Sequence, residues 1–94
     1  MWAEAIASYQ TAIDVFTEVW NQHPENEAFL DAQVALRFEQ ADCYAGNRQW
    51  DAAIGTMQTV LDSVRQIAVR RALTAEEEQA QREGPAKIEN WKKQ

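Results

Sequence analysis

Few residues in this chain have the chemistry of a reactive centre. There is one histidine, His23, and one cysteine, Cys43, and they lie twenty residues apart with no third soft ligand to join them. A zinc site needs three or four such ligands at short spacings, so none is expected. Cys43 sits among helix-forming residues and reads as a small buried hydrophobe rather than a nucleophile. The chain has 15 Asp and Glu residues, from which an acid–base pair could be drawn. None falls in a motif that would set two carboxylates against a substrate, and a solvated helix face accounts for them. No glycine-rich loop is present to cradle a phosphate. The expectation is no enzyme, no cofactor and no metal.

What remains is the chemistry of surfaces. The net charge is −6. Residues 1 to 46 hold eight acids and one base, Arg37, whereas residues 47 to 94 hold seven acids and eight bases. An acidic front half lacks the basic face that nucleic acid requires. It favours a basic or apolar protein partner, although a solvated face that aids solubility explains the acids as well. No stretch approaches the ~20 apolar residues that span a bilayer, and the N-terminus lacks the basic and apolar regions of a signal peptide. A lone cysteine precludes an internal disulfide and suits a reducing compartment. The expected location is cytoplasmic.

The elements that hold these residues follow from periodicity. Trp2, Ile6, Tyr9, Ile13, Phe16 and Trp20 alternate spacings of four and three, the stripe of an amphipathic helix over residues 2 to about 21. Pro24 ends it, because a proline disfavours helical dihedrals at the residue before it. A second helix runs from 26 to about 45. Leu30, Val34, Phe38, Ala41 and Ala45 form one apolar side, and Ala28, Phe29, Ala32, Ala35, Leu36 and Cys43 another. Two apolar faces imply neighbours on two sides. Gly46-Asn47 marks a turn. The third helix, about 48 to 72, repeats the four-three spacing with Trp50, Ile54, Met57, Leu61 and Val64.

Helices one and three are copies. Residues 2 to 16, WAEAIASYQTAIDVF, align with 50 to 64, WDAAIGTMQTVLDSV, at an offset of 48 with six identities in fifteen positions. A fixed-period match is the signature of a repeat architecture. Thr74 with Glu77 three residues on then forms a capping box for a new start. Only Leu73 and Ala80 are apolar enough for burial there, and Gly84-Pro85 is expected to break it. Ile88 and Trp91 allow one more short amphipathic turn.

Ala41, Tyr44, Gly46, Trp50, Ala53 and Ile54, in that order across a helical hairpin, resemble a tetratricopeptide (TPR) repeat. Trp2 to Ile6 is similar to the opening of the second helix in a preceding repeat, and Pro24 to the proline that closes one. The period of 48 exceeds the family's 34 by 14, which divides as seven residues per helix, about two turns each. The turn glycine lies two residues early, and no first helix precedes Trp2. The resemblance implies an all-α fold of antiparallel hairpins. It would be a right-handed layer of three long helices plus a short C-terminal helix, with residues 1–73 as the bundle and 74–94 as a polar extension or tail. It implies a protein–protein interaction module, a scaffold or adaptor, with a peptide or helix groove lined by Ala35, Phe38, Asp42 and Ala45. Phe38 and Asp42 stand where acidic-peptide clamps carry Lys and Asn, so an apolar or basic ligand fits better. The missing first helix raises an alternative: a homo-oligomer in which helix one packs on another copy.

Overall fold

The computed structural model describes residues 1–94. It is all-α, with four helices: α1 Trp2–Gln22, α2 Ala28–Gly46, α3 Trp50–Arg70 and α4 Ala75–Lys92. No strand is present. The two copies of the duplicated stretch open α1 and α3. Both helices are 21 residues long and both begin on their tryptophan.

The loops are short, so sequential helices run antiparallel. In the first hairpin Gln33 of α2 meets Thr17, Gln40 meets Gln10, and Gly46 lies against Trp2. The second hairpin sets Gly84 of α4 against Leu61 of α3. α2 touches all three other helices, as its two apolar faces imply, whereas α1 touches α2 alone. The main core lies between α2, α3 and α4, where Val34, Phe38, Ala41, Met57, Val60, Val64, Ile67, Ile88 and Trp91 cluster. α1 contributes one fully buried side chain, Ile13.

The C-terminal segment departs from expectation. Gly84-Pro85 does not break it: α4 is one helix of 18 residues with Pro85 inside. Nor is it short or peripheral, because Glu77, Ala80, Gly84, Ile88 and Trp91 are all buried. They recur at three, four, four and three residues, a single stripe along one helix face. Pro85 is exposed, and its cost is the backbone bond its missing N–H would make together with the crowding of its ring against the preceding turn. Gly84 is the reason α4 can approach: a Cβ there would lie 2.9 Å from Leu61 Cδ2. The start of α4 is as anticipated. Thr74 Oγ1 accepts from the Glu77 N–H, and the Glu77 carboxylate accepts from the Thr74 N–H at 2.9 Å.

Candidate functional site

Three of the four residues expected to face a ligand do come together. Ala35, Phe38 and Asp42 line a cleft of about 230 Å³ with Glu39, Glu76 and Gln79. Two helical turns separate Ala35 from Asp42, which puts them on one side of α2. Ala45 is not in this cleft; it packs on the hydrophobic cluster. The cleft is partly claimed by the chain itself. Phe38 is only 9% exposed. Lys87 of α4 lies 5.0 Å from the centre of its ring and donates to both Asp42 oxygens, at 2.8 and 2.9 Å. The Asp42 charge is thus already paired, whereas Glu39 and Glu76 in the same cleft have no salt bridge.

A polar cluster that periodicity does not reveal joins three helix ends. Arg71 follows α3 in extended backbone, and its guanidinium donates to Glu27, to Asp31 and to Glu77. Arg70 adds a second contact to Glu27 at 3.1 Å. The antiparallel run of α2 and α3 brings the start of one to the end of the other, and α4 begins beside both. Burial works against the charge on Arg71, but the hydrogen bonds it donates to three carboxylates outweigh it and hold the group firmly protonated. The Arg71 hydrogen bond lowers the Glu27 pKa.

Asp31 behaves in the opposite way. Burial, and then its hydrogen bond with the Glu77 carboxylate, push its pKa up to about 6 despite Arg71. Glu77 is 1% exposed, and burial disfavours its charge. Bonds from Asp31, the Thr74 N–H and Arg71 more than offset that, so its pKa is lowered. Glu77 Oε2 has no fixed donor. Below about pH 6 Asp31 carries a proton and can donate it in a hydrogen bond to the Glu77 carboxylate. Apart from Glu77 Oε2, the carboxylates here are bonded by Arg71 or by the start of α4, and the cluster ties the three helix ends together.

Elsewhere reactive chemistry is lacking. Cys43 is buried, and burial first, then Asp42 and Glu39, raise its thiol pKa, which keeps it from acting as a thiolate. His23 lies exposed in the α1–α2 loop, 3.5 Å from Glu25. No group of His, Cys, Asp and Glu is arranged to hold a metal ion. No helix is long and apolar enough to cross a membrane.

The remaining feature is the edge of the molecule. The α1 stripe meets α2 through Ile13, through Phe16 against Phe29, and through a seam of amides. Gln40 Nε2 donates to the Ile6 carbonyl and to Gln10 Oε1, and Thr17 donates to Gln33 Oε1. On the other side of α1 nothing is packed. Val15 is 54% exposed there, and Ala5, Ala12 and Val19 are only half-buried. The aromatic spacing of helix one predicted a buried stripe, but it cannot tell one covered flank from two. Comparison with family models, with curated proteins and with solved structures finds no match.

Proposed function

We propose that this chain is a non-enzymatic protein–protein interaction module, a TPR-like scaffold of two helical hairpins, acting in the cytoplasm. Its docking surface is the uncovered side of α1. The observation that carries this reading is that α1 touches only α2 while its apolar stripe continues past that contact into solvent. Apolar surface that a monomer leaves contiguous and exposed marks interaction sites. The TPR-like hairpin order is supported by the Ala41, Tyr44, Trp50, Ala53 and Ile54 pattern, and by duplicates that open helices of equal length.

The test places a photo-crosslinking residue at Val15, or at Asp62 on the exposed side of α3 as control, in cells that express the chain. A discrete protein adduct from position 15 and none from 62 is expected. Adducts of equal yield from both positions, or none from either, reject the assignment of the surface.

A second reading keeps the ligand on α2, because Ala35, Phe38 and Asp42 line a cleft. It requires the Lys87–Asp42 contact to open. Asp42→Lys would then abolish binding that Ala12→Lys leaves intact. Self-assembly through α1 is the alternative use of the favoured surface, and a concentration-independent monomer in sedimentation would remove it.

A further inference from the structure

The internal duplication supplies a template for what covers α1. α3 carries the same stretch and has neighbours on two sides, α2 and α4. Its residues Ala53, Val60 and Ile67 are 0, 0 and 1% exposed. The matching residues 48 positions earlier are Ala5, Ala12 and Val19, and each is half-exposed. Each copy packs against the helix that follows it. What α1 lacks is the other neighbour, the place that α2 fills for α3.

We infer that the open side of α1 receives an amphipathic helix with basic flanks from a different protein; this rests on the reading of α1 as the interaction surface. The apolar part follows from the template. Toward the core it shares with α3, α2 presents Leu30, Val34, Phe38 and Ala41, spaced four, four and three. A helix with that stripe matches the surface that α3 and α1 have in common. The charge of the flanks follows from the ion pairs. Of the eight acids in residues 1 to 46, Glu27, Asp31 and Asp42 are paired with Arg or Lys. Glu4, Asp14, Glu18, Glu25 and Glu39 are not, although Glu4 lies 3.7 Å from the N-terminal ammonium and Glu25 3.5 Å from His23. Glu4 and Glu18 are exposed on α1 itself, and Glu39 lies against Tyr9 at its border with α2. Complementary charge steers and orients such a partner.

A second copy of the chain fits less well. α1 has no Lys or Arg, so a two-fold pairing would set acids against acids. Head-to-tail stacking would need an apolar outer side on α4. The α4 residues that match Leu30, Val34, Phe38 and Ala41 are Glu78, Arg82, Ala86 and Glu89, all exposed and three of them charged. That end of the molecule is closed by polar residues, as terminal units of stacked arrays are.

The probe is a labelled helical peptide of residues 26–46 carrying Glu27→Lys, Asp31→Lys, Glu39→Lys and Asp42→Lys. These changes also bar it from replacing α2, whose place requires Arg71 and Lys87 as partners. Fluorescence anisotropy with the full chain should show saturable one-to-one binding. Ala12→Lys should weaken it at least about tenfold, and Glu18→Lys about threefold with a shallower salt dependence. Melting curves establish that both variants fold; if Ala12→Lys does not, Val15→Lys at an exposed position replaces it. Equal binding of the unmodified acidic peptide overturns the basic flanks. A dimer dissolved by Ala12→Lys overturns the foreign partner in favour of a second copy. No peptide binding while the Val15 crosslink still captures another protein overturns the partner class and leaves the surface standing. Loss of both overturns surface and partner together.

Discussion

Lowering the pH from 7 to 5 should stabilise this fold, and Asp31 is the cause. Its carboxyl has a pKa of about 6 in the folded chain against an ordinary 3.8. A raised carboxyl pKa means that the folded state holds the proton more tightly than the unfolded state. The resulting stability is fully present below the unfolded value and is lost as pH rises through 6. Linkage from these two values gives about 1 kcal/mol more stability at pH 5 than at pH 7. For a domain of this size that is a rise in Tm of roughly 5 °C. Glu77 and Glu27 have lowered pKa values, so they contribute above their unfolded values and lose stability only at more acid pH. They do not cancel the effect within this window.

Asp31→Asn isolates the cause. The amide donates permanently to Glu77 Oε2 and still offers an oxygen to Arg71, so it imitates the protonated carboxyl. Thermal melts at pH 5, 6 and 7 should show a slope for the native chain and nearly none for Asp31→Asn. The variant at pH 7 should match the native chain at pH 5. A native chain equally or less stable at pH 5, or an Asp31→Asn chain that keeps the slope, refutes the role of Asp31.

The same contacts fix three further outcomes. Arg71→Met removes the one cation that joins three carboxylates and should cost about 3 kcal/mol or more in urea denaturation at pH 7, with a smaller loss when Glu77→Gln is also present. Gly55→Ala should add up to about 1 kcal/mol, since a Cβ there meets nothing within 4 Å, whereas Gly84→Val should cost about 1–3 kcal/mol by pushing on Leu61 and Met57. Pro85→Ala should raise Tm, by a stability gain of about 1–3 kcal/mol, because it restores a helical N–H at an exposed position of α4.

Local signals in the sequence reach far into this fold. The four-three spacing places α1 and α3, the two apolar faces of α2 anticipate its several neighbours, and Thr74 with Glu77 marks the start of α4. α4 itself is misread because two of its five buried stripe residues are not apolar. Glu77 is buried by virtue of its bonds to Arg71 and Thr74, and Gly84 by virtue of having no side chain. A count of hydrophobic residues passes over both, although the spacing from Glu77 to Trp91 is that of a helix face. The Arg71 cluster is legible only once α2 and α3 are known to run antiparallel, for its members lie 44, 40 and 6 residues away. Lys87 closing on Asp42 is hidden for the same reason. Each residue looks solvated until α4 is laid beside α2.

The duplicated stretch therefore does two different things. In α3 it meets Gly84, Ile88 and Trp91 of α4 on one side and the apolar stripe of α2 on the other, and it becomes the centre of the core. In α1 the helix that follows offers Gln33 and Gln40 instead, so the hairpin closes through amides around a single buried isoleucine. One of those amides, Gln33 Nε2, has no partner. Such a seam fixes register by its hydrogen bonds but supplies less apolar burial than the α3–α4 contact does. The residues that would supply more, Ala5, Ala12 and Val19, are only half-buried. α1 is thus held in place by its neighbour yet only half satisfied by it, and the apolar area it keeps in water is stabilising only when another helix covers it.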